Sequence, residues 1–164
     1  MIIRKASISD IPAIRRLANE IWWPAYKNIL SAAQISFMLE DLYSETALKD
    51  QMQQNYHFLI AERKNIPVGF AAYSLSDAEN KVYKLQKLYI LPTEQGKGSG
   101  KKLVDEVSFL AAEQDGEILE LNVNRENSAF NFYIKLGFEI YQEVDIPYHD
   151  FVLNDYVMRR KIVI

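Results

Sequence analysis

A glycine-rich loop near the middle of the chain holds the residues best suited to bind an anion. The segment 84–90 is predicted to be a buried strand, and an amphipathic helix follows the loop. Between them lies Gln95-Gly96-Lys97-Gly98-Ser99-Gly100, with glycine at alternate positions. Such a loop lets backbone N–H groups converge on one anion, and the helix amino terminus adds a favourable dipole. The pattern predicts a phosphate-binding loop, with a plain glycine-rich turn as the alternative.

The glycine spacing excludes two common nucleotide-binding loops. A dinucleotide-binding fingerprint requires a glycine three residues after Gly98, where this chain has Lys101. A Walker loop requires a glycine five residues before Gly100 and a hydroxyl residue after its lysine, but those positions hold Gln95 and Lys102. A different class of phosphate-bearing ligand is therefore expected.

A second block of polar and aromatic residues follows a predicted strand at 118–123. Its pattern is Asn-x-Ala-x-x-Phe-Tyr-x-x-x-Gly-Phe, which begins at Asn127 and comes after a strand that ends in Asn124. The first block, Leu-Tyr-Ile-x-Pro followed by Gln-x-x-Gly-x-Gly, resembles the acyl-CoA-binding segment of the GNAT N-acyltransferases. The second block resembles the other signature of that family. The specific motifs lie within 84–138, while the order of predicted elements extends the resemblance to nearly the whole chain.

The resemblance implies that acetyl-CoA binds along the first block. The backbone groups of Leu88 and Ile90 would hold the pantetheine arm, with the Leu88 N–H facing the thioester carbonyl. The pyrophosphate would bind to a loop made of Gln95, Gly96, Lys97, Gly98, Ser99, Gly100 and Lys101. Asn124 and Asn127 would position the arm or the next helix, although Asn127 could be only a helix cap. A set of basic residues falls on or beside this presumed face: Lys81, Lys84, Lys87, Lys97, Lys101, Lys102 and Arg125.

Tyr133 is the residue that the resemblance assigns to proton donation. A phenol with an ordinary pKa of about 10 can stabilise a departing thiolate, whose thiol has a pKa of about 8.5, and hand over a proton. The alternative is that Phe132 and Tyr133 are two packing aromatics in the middle of an amphipathic helix. The chain has no cysteine and no Gly-x-Ser-x-Gly, which favours direct transfer over a covalent acyl-enzyme.

The general base is where this sequence departs from the family pattern. Many GNAT enzymes carry a glutamate four residues before the position of Ile90, and this chain has Gln86 there. An amide cannot accept the proton of an ammonium group, so another residue must do so, directly or through water, or the enzyme binds the neutral amine. The candidates that remain open are Glu94, Asp155, Tyr156 and His149.

The amine acceptor is expected to bind near the first helix. In GNAT folds the segment between the first two helices covers the far end of the cleft, and here it contains Trp22, Trp23 and Tyr26. A cationic amine could bind over these rings. The alternative is that they pack the helix against the sheet, with Pro24 breaking or bending it.

The predicted elements place these residues in an α/β fold. Residues 2–6 form a strand, and Ser9-Asp10-Ile11-Pro12 starts a helix whose apolar stripe includes Ile14, Leu17, Ala18 and Ile21. Helices follow near 31–42 and 44–54, and strands near 57–62, 68–75, 82–91, 118–123, 138–144 and 151–159. A helix near 127–136 carries the second block. We expect one GNAT domain over residues 1–164, with a splayed cleft in a mixed sheet of about seven strands and helices on both faces.

Composition restricts the classes of function. Apolar residues make up 49% of the 164 residues, charged residues 25%, and the net charge is −3. The acidic balance disfavours nucleic acid as a partner. The absence of cysteine and of a membrane-length apolar segment leads us to expect a cytoplasmic protein with neither disulfides nor a membrane or metal partner.

The sequence therefore predicts a cytoplasmic acetyl-CoA-dependent N-acetyltransferase that acts on a small primary amine. The ending Asn-Asp-Tyr-Val-Met at 154–158 also resembles the bacterial branch that includes spermidine/spermine N-acetyltransferases, which makes a polyamine one expected acceptor. The alternatives are acetylation of a protein α-amine or lysine, and a sensor that binds acyl-CoA without catalysis. The apolar segment 157–164 would permit a homodimer.

Overall fold

The computed structural model describes residues 1–163, in which a first strand is followed by three helices, three strands, a helix, a strand, a helix and two strands. The strands are β1 (Ile2–Lys5), β2 (His57–Arg63), β3 (Ile66–Asp77), β4 (Val82–Ile90), β5 (Ile118–Asn124), β6 (Glu139–Tyr148) and β7 (Phe151–Lys161). The helices are α1 (Ile11–Tyr26), α2 (Ala32–Tyr43), α3 (Glu45–Gln53), α4 (Ser99–Ala112) and α5 (Ala129–Lys135), with short 3-10 turns at Ile8–Asp10 and Pro92–Glu94.

All seven strands form one sheet in the order β1-β2-β3-β4-β5-β7-β6. The β4–β5 pair is parallel and the other neighbouring pairs are antiparallel. The sheet has a hydrophobic core on each face. One core lies between the sheet and α1, α2 and α3, and the second lies between the sheet and α4 and α5. The predicted mixed sheet with helices on both faces is therefore confirmed.

Local sequence signals account for the helices on the first face. The side chains of Ile14, Leu17, Ala18 and Ile21 follow helical spacing and are almost fully buried, which fixes the inner side of α1. Helices α2 and α3 each begin after a serine whose hydroxyl accepts a backbone N–H, at 3.1 Å in both cases.

Strand β4 contains a bulge that decides which side chains face which helices. Residue Ala72 of β3 lies opposite Lys87, but Tyr73 lies opposite Leu85, so Gln86 has no partner in the register. Beyond the bulge, Leu88 and Ile90 pack towards α4 and α5, and Tyr89 packs towards α1 and α2. Lys87 shares the second of these faces.

The helix break expected at Pro24 does not occur. Helix α1 continues through Pro24 to Tyr26, and the N–H of Lys27 donates to the carbonyl of Trp23 at 3.0 Å. The proline lies in the last turn, where its missing N–H removes only one helical hydrogen bond. The helix predicted from residue 127 begins at Ala129. Within residues 1–163, no helix is long and apolar enough to span a membrane. Of the segment proposed for dimer formation, Ile164 lies outside the described residues.

Candidate active site

The glycine loop adopts a conformation that only glycine takes easily. Gly96 and Gly98 have φ angles of +80° and +78°, in the left-handed region. A Cβ atom at either position would meet nothing within 4 Å, so the backbone there faces open space. Gly98 directly precedes the 14-residue helix α4, whose first N–H groups are free to bind an anion.

Glu94 fixes the loop from inside the protein. Its carboxylate accepts hydrogen bonds from Arg63 of β2 at 3.0 and 3.1 Å, and from the hydroxyl of Ser99 at 3.1 Å. The Arg63 guanidinium lowers the pKa of Glu94, since it favours the charged carboxylate. Glu94 is 4% exposed and does not line the cleft, so it is a structural anchor rather than a base. The hydroxyl of Ser99 points to this anchor, which leaves its N–H for a ligand.

Gly100 is needed for packing between helices. A Cβ atom there would lie 3.1 Å from the ring of Phe132 in α5, closer than almost all real contacts. Gly100 therefore lets α4 approach α5, in addition to lining the cleft.

Strands β4 and β5 separate halfway along their length. Their pairing runs from Val82–Ile118 to Leu85–Leu121 and goes no further. Beyond that point, the N–H of Leu91 donates to the carbonyl of Val68 in β3 at 2.9 Å. In an antiparallel pair, successive residues direct their polar groups to opposite sides. The N–H and C=O groups of Leu88 and Ile90 therefore point away from β3, into the gap between the strands.

The gap opens into a cleft of about 850 Å³. The glycine loop and the start of α5 line one end, which we call the donor end. Of the residues predicted to bind the cofactor, the following line the cleft: Leu88, Ile90, Gln95, Gly96, Gly98, Ser99, Gly100, Lys101, Asn124 and Asn127. Lys97 does not, and its amino group lies 3.6 Å from Glu94.

Asn127 and Tyr133 both reach the cleft from the region of α5. The side-chain carbonyl of Asn127 accepts the N–H of Ala129 at 2.9 Å, so Asn127 also caps the helix. Tyr133 is 8% exposed, and its ring packs on Phe138 with centroids 5.6 Å apart. Burial, and then the neighbouring Tyr26, raise the pKa of Tyr133. The phenol therefore stays protonated at neutral pH and can donate.

The other end of the cleft, which we call the acceptor end, is an aromatic chamber. The rings of Trp22 and Tyr26 pack at a tilt of 51° with centroids 4.7 Å apart, and the hydroxyls of Tyr26 and Tyr89 are 3.0 Å apart. The ring of Tyr43 lies against Trp22 at 5.6 Å. The indole N–H of Trp22 is buried without a hydrogen-bond partner among residues 1–163. Trp23 is 37% exposed and does not line the cleft, because the turn of α1 directs it outward.

Of the remaining candidates for the base, only Asp155 lines the cleft. Burial raises its pKa, and Asn122 donates to its carboxylate at 3.4 Å. Tyr156, the next residue on β7, packs on Phe130 outside the cleft. His149 lies in the exposed β6–β7 turn, 3.6 Å from Asp41. Gln86 lines the cleft, and its amide donates to the hydroxyl of Ser74 at 3.1 Å.

Lys87 is the polar residue of the cleft whose position the sequence did not indicate. The sequence places Lys87 among the basic residues of the cofactor face. In the structure it is 7% exposed and lies at the acceptor end. Its amino nitrogen lies 4.2 Å from the centroid of the Tyr43 ring. Most other lysines of that group are engaged elsewhere: Lys81 pairs with Glu117, and Lys101 with Asp105.

Comparison with known proteins identifies the family. A family model described as an acetyltransferase (GNAT) domain matches residues 28–146, which is more than half of the chain. The chain belongs to the GNAT acetyltransferase family. The predicted resemblance and enzyme class are thereby confirmed. This GNAT protein is 30% identical to the spermidine N(1)-acetyltransferase of Thermoplasma acidophilum over 97% of its own length and 96% of that protein.

Two further relatives extend the comparison. The crystal structure of the PaiA N-acetyltransferase from Thermoplasma acidophilum in complex with coenzyme A superposes with a TM-score of 0.85 at 28% identity, covering 98% of both chains. The [ribosomal protein bS18]-alanine N-acetyltransferase of Haemophilus influenzae is 35% identical over 63% of this chain and 67% of that protein. The spermidine and bS18-alanine acetyltransferases are named for different amines, so membership of the GNAT family gives the reaction but not the acceptor.

The residues at the donor end fit coenzyme A. The loop offers convergent N–H groups to a pyrophosphate, and the unpaired edge of β4 offers Leu88 and Ile90 to an extended chain that carries amide groups. No group of three or more His, Asp or Glu side chains within residues 1–163 is arranged to hold a metal ion.

Proposed function

We propose that this GNAT acetyltransferase transfers an acetyl group from acetyl-CoA directly to a primary amine of a small cationic molecule, with polyamines as the first class to test. The observation that carries this proposal is the composition of the acceptor end. It is an aromatic chamber in which Asp155 is the single carboxylate among residues 1–163. Aromatic faces and one half-buried carboxylate together favour an ammonium group.

The β6–β7 turn supports a small acceptor over a peptide. The hydroxyl of Tyr148 contacts the carboxylate of Asp41 in α2, and Phe37 packs on Phe151 with centroids 5.7 Å apart. These contacts join the hairpin to α2 on the face that carries the chamber, where a peptide would need an open groove. The similarity to a spermidine N(1)-acetyltransferase over nearly the whole chain points the same way.

Acetyl-CoA supplies an activated acetyl group, and the protein orients it and manages protons. In this proposal the Leu88 N–H donates to the thioester oxygen as negative charge develops there. Tyr133 donates its proton to the departing sulfur, which the raised pKa of the phenol allows. Asp155 attracts the ammonium group of the acceptor.

The test combines binding and turnover. Acetyl-CoA is titrated into the protein by calorimetry, and thiol release is followed with polyamines, amino acids and short peptides. Tyr133→Phe should lower kcat by about 10²-fold or more, with acetyl-CoA affinity unchanged. Tyr156→Phe is the matched control, because that phenol lies outside the cleft.

Three results would contradict the proposal. Thiol release with a peptide α-amine and none with small amines would favour protein acetylation, for which the bS18-alanine relative is the precedent. Binding without release on any acceptor would favour the acyl-CoA sensor. Full activity of Tyr133→Phe would remove the proposed proton donor.

A further inference from the structure

Lys87 is a buried amine without a counter-ion at the acceptor end of the cleft. Its side chain is 7% exposed, and neither an ion pair nor a hydrogen bond reaches its amino group from the described residues. The nearest partner is the face of the Tyr43 ring, 4.2 Å from Nζ. The charged residues that line the cleft are Lys87, Asp155 and, at the donor end, Lys101.

Burial lowers the pKa of Lys87 to about 7, because the charged form loses its hydration. The titratable groups around the chamber come from four elements: Tyr26 of α1, Tyr43 of α2, Tyr89 of β4 and Asp155 of β7. Burial raises the pKa of all three phenols, so they are neutral at pH 7. Among residues 1–163, Asp155 is the other charged side chain of the chamber, and the positive charges that act on it are those of Lys84 and Arg125.

We propose that Lys87 is the group that accepts the proton of the acceptor's ammonium before acetyl transfer, directly or through one water molecule. This assignment rests on the proposed function. It supplies the base that Gln86 cannot be, and it lies next to Gln86 on the same strand. The strand bulge turns Lys87 towards the acceptor end, whereas Glu94, the only glutamate among the candidates, is held by Arg63 outside the cleft.

The proton balance is complete with the residues present. The ammonium N–H bond breaks and its proton moves to the lone pair of Lys87 Nζ. The neutral amine then forms a C–N bond with the thioester carbon, and the C–S bond breaks with its electron pair leaving on sulfur. Tyr133 gives its proton to sulfur and regains one from the nitrogen of the new amide. Lys87 returns its proton to water in the cleft, which accounts for the one proton released overall.

A neutral lysine also resolves a conflict of charge. A permanently charged Lys87 would repel a cationic acceptor within the same chamber. A lysine that is about half neutral at pH 7 and largely neutral above it repels the acceptor much less, and its basicity is far better matched to an amine of pKa near 10 than that of a carboxylate.

The experiment compares Lys87→Met and Lys87→Arg with wild type in thiol-release assays from pH 6.5 to 9.5. Spermidine serves as the acceptor, or whichever amine the wild type accepts best. Both variants should lose roughly 10²-fold or more in kcat/KM at pH 7. The deficit should narrow as the pH approaches the pKa of the amine, since free amine becomes abundant. Acetyl-CoA affinity should stay within about threefold of wild type, because Lys87 is at the acceptor end. Lys5→Met, on the exposed edge strand β1, is the control.

A second measurement does not depend on turnover. NMR titration of lysine side-chain signals, with Lys87→Met to assign the resonance, should show a midpoint near pH 7 for Lys87. A midpoint near 10 would overturn the proposal. So would wild-type activity of Lys87→Met, or an Arg variant that is fully active, since arginine can hold an anion but cannot accept a proton. A wild-type protein that binds acetyl-CoA but acetylates no amine refutes the proposed function itself, and the role of Lys87 falls with it.

Discussion

Replacing Lys87 with methionine should stabilise the protein, and by an amount that depends on pH. Burial lowers the pKa of Lys87 from 10.5 to about 7, so between these values the unfolded chain binds a proton that the folded protein has released. Folding therefore becomes more favourable as the pH rises through this range. Burying Lys87 lowers the free energy of unfolding by about 1.4 kcal/mol for each pH unit below 10.5, and this loss stops growing below about pH 7.

These values give the size of the effect. Methionine has a similar length and no charge, so it removes the penalty while filling the same space. We expect Lys87→Met to raise the free energy of unfolding by about 4 kcal/mol at pH 7 and by about 2 kcal/mol at pH 9. Urea unfolding followed by circular dichroism at both pH values, at equal ionic strength, measures the difference.

The control for this prediction is Lys5→Met, which should change stability by less than about 0.5 kcal/mol at either pH because the side chain is exposed. A Lys87→Met protein that is less stable than wild type at pH 7 would refute the reasoning. So would a gain that is the same at pH 7 and pH 9. Either result would mean that the Tyr43 ring holds Lys87 in its charged form.

Other predictions concern single contacts of the cleft. Asp155→Asn should raise KM for a cationic acceptor roughly tenfold, equivalent to about 1.4 kcal/mol, while Asp150→Asn in the exposed β6–β7 turn should leave steady-state kinetics unchanged. Glu94→Gln should weaken acetyl-CoA binding in calorimetry by loosening the loop. The pKa of Glu94 is lower in the folded protein than in the unfolded chain. Its contribution to loop stability should therefore be fully present above the ordinary carboxyl pKa and should be lost as the pH falls through the lowered pKa of the folded state. Gly100→Val should lower the thermal midpoint by several degrees, since its Cβ would lie 3.1 Å from the Phe132 ring and its methyl groups need further space, and an unchanged midpoint would refute this.

The sequence predicted the loop and the helices that form the donor end, because their determinants are local. The glycine loop, the following helix and the second block each lie within a few residues of one another, and their positive φ angles and caps need no distant partner. The loop's anchor was not predictable in the same way. Glu94 binds Arg63, which is 31 residues earlier in the chain and on another strand. Without that pairing, Glu94 is indistinguishable from a candidate base.

The sequence does not determine which residues of α1 and β4 point into the acceptor end. The spacing of Tyr26 allowed either Trp22 or Trp23 to share its helical face, and packing against Tyr43 selects Trp22. The sequence groups Lys87 with the basic residues of the cofactor face, and simple alternation along β4 would place its side chain under α4. The bulge at Gln86 changes that alternation, and no single-sequence pattern marks it.

The bulge makes the chemistry of the two ends depend on the register of β4. Gln86 is one extra residue in β4, and every side chain after it faces the opposite way from where uninterrupted alternation would put it. If β4 paired without the bulge, with Gln86 opposite Ala72, the Lys87 ammonium would enter the apolar layer under α4 and Leu88 would face the acceptor chamber. Deleting Gln86 would leave both directions intact, because the pairs on either side of it are already consecutive on β3. The direction of these side chains therefore depends on the bulged register and not on which side chain occupies position 86.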